Sequence, residues 1–73
     1  MNYYKRMKDL REDHDMTQKE IANIIQTSQS YYAQYENGHR PITLDRFIRL
    51  AAYYHVSLDY LAGLTDNPEN PNL

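Results

Sequence analysis

The sequence predicts an all-α protein of five short helices, and three observations carry that expectation. Apolar residues recur at helical spacing and nowhere alternate as they would along a strand. Ser or Thr stands just before four of the five helical stretches, where a hydroxyl can cap an N-terminus. Gly38 and Gly63 each stand just past a helical stretch, the position that favours glycine. At 73 residues and without cysteine, the chain is expected to make one thin-cored domain held by helix packing rather than by disulfides or thiolate-bound metal.

Each element has its own signals. Tyr3, Met7, Leu10 and His14 are 4, 3 and 4 residues apart and share one face of a first helix. Lys5, Arg6, Lys8, Asp9, Arg11 and Glu12 fill its wetter sides, and Asp13-His14-Asp15 breaks the pattern. Thr17-Gln18-Lys19-Glu20 has the form of a capping box, in which Thr17 and Glu20 satisfy each other's backbone N–H. Ile21, Ala22, Ile24 and Ile25 then make a short, buried second helix. Gln26-Thr27 forms a turn, and Ser28 opens a third helix that runs to Asn37 and stops at Gly38. Pro41 bars a helix through His39-Arg40. Thr43 caps a fourth helix, with Asp45 in its first turn and an apolar face of Leu44, Phe47, Ile48, Ala51 and Tyr54. Ser57 caps a last helix from Leu58 to Ala62. The domain is expected to span residues 1–66, and the polar, proline-punctuated stretch 67–73 to be a fraying tail.

Composition excludes several functions. No apolar run approaches the roughly 18 residues of a membrane span, and no signal-peptide stretch opens the chain, so a soluble, cytoplasmic protein is expected. Asp13-His14-Asp15 lacks the paired histidines of a helical metal site and reads as a solvated helix end. His14, His39 and His55 assemble no nucleophile, base and orienting group, and there is no glycine-rich phosphate loop. Neither enzyme activity nor a cofactor is expected.

The second and third helices, joined by a tight turn, read as a helix-turn-helix over about residues 17–36. Ala22 is small where the two helices cross, and Tyr32 and Tyr35 turn the inner face of the third helix into the core, as Tyr54 does for the fourth. Gln29, Ser30, Tyr31, Ala33 and Gln34 then point outward, at positions that meet base edges in the major groove. Gln29 and Gln34 suit adenine, Ala33 suits a thymine methyl, and Tyr31 suits a groove or phosphate contact. This helix carries no Arg or Lys, so guanine-rich sites are not expected targets. Eight Lys and Arg against ten Asp and Glu leave a formal charge of −2, whereas nucleic-acid domains are usually basic. Net charge is a whole-molecule sum, and one face can still be positive. Tyr4, Tyr53 and Tyr60 are candidates for a dimer surface.

Four blocks carry a wider likeness: Arg6-Met7-Lys8-Asp9-Leu10-Arg11-Glu12, Met16-Thr17-Gln18-Lys19-Glu20-Ile21-Ala22, Tyr35-Glu36-Asn37-Gly38, and Val56-Ser57-Leu58-Asp59-Tyr60-Leu61. Together, over roughly Lys5 to Asp66, they resemble the Cro and phage-repressor family of bacterial regulators, the XRE family. The resemblance implies a lambda-repressor-like domain that binds double-stranded DNA as a transcriptional regulator, a repressor. It further implies a homodimer on a pseudo-palindromic operator, with no small-molecule ligand evident. It makes Gln18 a phosphate contact that braces Gln29, with Thr17 and Lys19 beside it, and it puts Asn37, His39 and Arg40 against the backbone on the far side. It also implies a buried salt bridge between Arg11 and Glu36. Asp15, Gln26 and His55 stand where relatives usually have glycine, which predicts that these helices either end on strained, left-handed caps or unwind differently. A rival reading keeps the fold and makes it a protein-interaction module, favoured by the acidic balance and the cation-free third helix.

Overall fold

A computed structural model describes residues 2–69. Five helices follow in order: α1 (Tyr3–Asp13), α2 (Gln18–Ile24), α3 (Gln29–Glu36), α4 (Leu44–Tyr54) and α5 (Leu58–Ala62), with no strand among the described residues. Every helix opens on a side-chain cap, supplied by Asn2, Thr17, Ser28, Thr43 and Ser57 in turn. The capping box is complete: the Glu20 N–H donates to Thr17 Oγ1 at 3.1 Å, and the Thr17 N–H donates to Glu20 Oε1 at 2.9 Å. Those two bonds, the backbone N–H of Thr17 first, hold the Glu20 carboxyl below its ordinary range.

All five helices also close alike. In each, the first residue past the helix end in the left-handed region donates to the carbonyl three back, and the next residue donates to the carbonyl five back. Glycine takes the left-handed position at Gly38 and Gly63, with φ of 74° and 85°. Asp15, Gln26 and His55 take it at the other three ends, with φ of 54°, 59° and 58°. The strained caps expected from the missing glycines are therefore present at all three. Met16 and Val56, the residues that follow two of them, pack on the core. That contact and the two backbone bonds hold a conformation costing a side-chain-bearing residue about 1–2 kcal/mol.

The core is one cluster fed by all five helices: Met7 and Leu10, then Ile21, Ala22 and Ile25, then Tyr32 and Tyr35, then Leu50, Ala51 and Tyr54, then Leu61. Two expectations need correction. On α4, Leu44 and Ile48 are not core residues; they are 68% and 45% exposed, while Leu50 is fully buried. The apolar arc of α4 is wider than a domain this small can cover, and the helix turns the Phe47–Leu50–Ala51–Tyr54 side inward. His14 is exposed and ends α1 rather than entering the core, with its ring resting 4.9 Å from the ring of Tyr54.

The segment after α5 is tied back to the rest of the domain. The Ser57 N–H donates to the Pro68 carbonyl at 2.9 Å, and Arg6 donates to the Thr65 carbonyl and to Asp66. The Arg6 guanidinium also lies 4.1 Å above the Tyr60 ring, so α1 clasps α5 and the segment after it. Residues 70–73 of the expected tail lie outside the described residues.

Candidate nucleic-acid interface

What fixes α3 is its inner face. Tyr32 and Tyr35 are buried edge-to-face, with ring centroids 6.5 Å apart. One turn further on, Glu36 is pulled out of water against α1. Arg11 Nε and Nη2 donate to the two carboxylate oxygens at 2.7 and 3.1 Å, and Arg11 Nη1 donates to the Met16 carbonyl at 2.9 Å. The salt bridge expected between these two residues is thus bidentate and buried, with the Glu36 side chain 1% exposed. Burial works against the Glu36 charge, but the hydrogen bonds from Arg11 and Gln18, with the Arg11 charge beside them, outweigh it and hold the carboxyl below its usual range. Glu36 in turn raises Arg11 against the opposing effect of burial. Burial likewise raises the hydroxyls of Tyr32 and Tyr54, with the Glu36 charge reinforcing it.

Gln18 departs from its expected partner. Its amide Nε2 donates to Glu36 Oε1 at 3.2 Å, so it braces the base of the salt bridge rather than Gln29. A buried carboxylate still has acceptor capacity after binding Arg11, and Gln18 at the start of α2 is the donor within reach.

A second clamp went unread in the sequence. Arg46, in the first turn of α4, donates from Nε to the Ile25 carbonyl at 3.3 Å and from Nη2 to the Gln26 carbonyl at 3.2 Å. Its Nη1 lies 3.4 Å from the Tyr35 hydroxyl. The guanidinium therefore caps the carbonyl end of α2, where a cation is favoured, and ties α4 to both helices of the helix-turn-helix. No local pattern announces this, because Arg46 and Ile25 are 21 residues apart.

The outer face of α3 is open where it was expected to be. Gln29, Ser30 and Tyr31 are exposed, and Ala33 and Gln34 are half-buried behind them. The left-handed turn at Gly38 then reverses the chain, with the N–H groups of both His39 and Arg40 donating to the Gln34 carbonyl. That reversal brings Arg40 back beside the outer face of α3. Its guanidinium lies over the Tyr31 ring at 4.5 Å, and its Nε donates to Gln34 Oε1 at 3.2 Å. A cation thus stands on the outer face of a helix that has none of its own. Gly38 is needed twice here, since a Cβ would also meet the Tyr4 ring at 3.1 Å.

Of the expected phosphate-contacting residues, Thr17, Lys19, Asn37, His39 and Arg40 are exposed and Gln18 is half-buried. Between Gln29 and Arg40 the one acidic residue is Glu36, already paired with Arg11. The acidic balance of the chain therefore falls largely outside this face. Of the tyrosines proposed for a dimer surface, Tyr4 covers Gly38 and Tyr60 lies under Arg6. Tyr53 remains exposed, with its hydroxyl 3.1 Å from Met16 Sδ. Among the described residues no cluster of His, Asp or Glu is arranged to hold a metal ion, and no helix is long and apolar enough to cross a membrane.

Five helices with a helix-turn-helix presented by its third define a small regulator-type domain of the lambda-repressor-like fold. The chain belongs to the helix-turn-helix family of the XRE type, which it matches over residues 7–61. It is 39% identical over 67 residues to the uncharacterized HTH-type transcriptional regulator YobD of Bacillus subtilis, covering 92% of this chain and 60% of that protein. It is also similar to the crystal structure of a transcriptional regulator from Listeria innocua, with a TM-score of 0.81 at 28% identity, over 84% of this chain and 57% of that one. The P22 c2 repressor, crystallised with a synthetic operator, shares the fold at a TM-score of 0.76 and 18% identity, over 84% of this chain and 92% of that one. This chain thus spans somewhat less than two thirds of the length of YobD and of the Listeria protein.

Proposed function

We propose that this chain is a cytoplasmic, sequence-specific transcriptional regulator, a repressor, that inserts α3 into the major groove of double-stranded DNA. Gln29, Ser30 and Tyr31 read base edges at the exposed start of α3, with Ala33 and Gln34 behind them. Thr17, Gln18, Lys19, Asn37, His39 and Arg40 hold the phosphates on either side. The observation that supports this most is the division of α3 into two faces. Tyr32, Tyr35 and Glu36 lock one side into the globule, while Gln29, Ser30 and Tyr31 stand free on the other. A rigid inner face leaves little to be ordered on binding, which favours selective contact. Arg40, brought beside Tyr31, supplies the positive charge that α3 lacks. The protein acts as a homodimer on a pseudo-palindrome, with recognition helices about 34 Å apart.

Selection of bound duplexes from a random pool tests this reading. Enrichment of a two-fold-related site is the expected result. Gln29→Ala should then lose selectivity, by about 1–3 kcal/mol at the base that Gln29 reads, while Lys19→Ala weakens all duplexes alike. Failure to enrich any duplex would favour the protein-interaction module instead.

A further inference from the structure

The outer face of α4 is an apolar stripe that the fold leaves bare. Leu44, Ile48 and Ala52 are spaced four apart and lie one above another along the helix, all exposed. Two of them are large aliphatic side chains at 68% and 45% exposure, and nothing in the domain's own core needs them. Beside the stripe, also four apart, run Asp45 and Arg49. Both are exposed, and neither makes an ion pair among the described residues. A shallow recess lies over Asp45, Ile48, Arg49 and Ala52.

This pattern is complementary to itself. A two-fold axis perpendicular to α4 sets two copies of the helix antiparallel, and the flank carrying Asp45 and Arg49 then stays on the same side in both. Asp45 of one copy faces Arg49 of the other, twice over, as an isologous contact requires. With Ile48 close to the axis, Leu44 of each copy falls over Ala52 of its partner, whose small side chain leaves the recess for it. A two-fold parallel pairing would instead put this flank on opposite sides of the seam in the two copies, and Asp45 and Arg49 would not meet. An unrelated partner would have no reason to match both the spacing and the order of the charges.

We therefore infer that α4 is the dimer contact of this protein, and that a second copy of the chain covers Leu44, Ile48 and Ala52. This rests on the dimer reading above and names its interface. It also gives the contact a task. Arg46, on the same helix, is fastened to the carbonyl end of α2 and to the Tyr35 hydroxyl of α3. Pairing across α4 would hold the two α3 helices at a fixed separation, because little between contact and reading head can flex.

The absence of cysteine makes a direct test clean. Ile48→Cys should oxidise to a covalent dimer, while Leu64→Cys, exposed beyond α5, should not. Separately, sedimentation equilibrium should show a dimer for the native chain. Asp45→Arg or Arg49→Asp alone should weaken it by about tenfold or more, through like charges brought together. The double reversal Asp45→Arg/Arg49→Asp should restore it. These residues are exposed, and unchanged thermal unfolding will confirm that each variant folds. A dimer that neither crosslinks at position 48 nor responds to charge reversal overturns this interface and leaves the dimer reading standing. Crosslinking without restoration by the double reversal overturns the antiparallel register. A native chain that is monomeric at every concentration and binds operator as a monomer overturns both.

Discussion

Arg11 and Glu36, 25 residues apart, meet in a two-pronged salt bridge whose carboxylate is almost wholly removed from water. The pair joins α1 to the last turn of α3, directly behind the face proposed to read DNA. Removing one partner leaves an uncompensated charge in the interior. Arg11→Met should therefore cost on the order of 3–5 kcal/mol in urea unfolding. The double variant Arg11→Met/Glu36→Leu should recover much of the loss, since it strands no charge. If the two variants were equally unstable, the charge argument would be wrong.

The same bridge sets a pH dependence. The Glu36 carboxyl titrates lower in the folded protein than in the unfolded chain, where about 4.3 is usual. The stabilisation is complete above the unfolded value and drains away as pH falls below it, through the folded value. Unfolding midpoints measured from pH 7 down to pH 3 should fall steeply below about pH 4.3, and Glu36→Gln should flatten that fall. Glu20, also lowered by its bonds to Thr17, retains a smaller slope of the same sign in the variant.

Left-handed backbone at three side-chain-bearing residues is a reserve of stability. Gln26→Gly should raise stability by up to about 1 kcal/mol, or several degrees in melting temperature. Asp15→Gly should gain less, because Asp tolerates this conformation better. Gly38→Ala should do the opposite and cost more than either gains, since φ is 74° and the Tyr4 ring lies 3.1 Å from the new methyl. A neutral Gly38→Ala would contradict the need for close approach at that turn.

Arg40 offers a test of the outer face. Arg40→Lys keeps the charge but loses the planar stack over Tyr31 and the bond to Gln34. Affinity for the selected operator should drop by about 1 kcal/mol, several-fold, with binding to random duplex nearly unchanged. Tyr31→Ala should reproduce the loss and Tyr31→Phe should not. Equal losses on both kinds of duplex would return Arg40 to a plain phosphate contact.

Much of this molecule is readable from neighbouring residues. The hydroxyl caps, the Thr17–Glu20 box and the stop at Gly38 are local events, fixed within about one helical turn, whereas the strained ends at Asp15, Gln26 and His55 were expected only from likeness to the family. The inward tyrosines of α3 follow from spacing on the helix, and so does the exposure of Gln29 and Ser30. The Arg11–Glu36 bridge spans the chain and came from family likeness, not from any nearby pattern.

What spacing could not decide was which part of a wide apolar arc the core would use. On α4 the periodicity admits Leu44 and Ile48 as readily as Leu50. The choice depends on how Arg46 is fastened to the end of α2 and on where α1 and α5 press. In the same way, Gln18 turns to Glu36, whose buried carboxylate keeps acceptor capacity within 3.2 Å of its amide, and Arg40 reaches Tyr31 because the turn after α3 folds back. The residue order specified the helices, their ends and the side of α3 left free. Only the assembled globule settled long-range hydrogen bonding and the rotation of α4, because those outcomes depend on distances between segments far apart in the sequence.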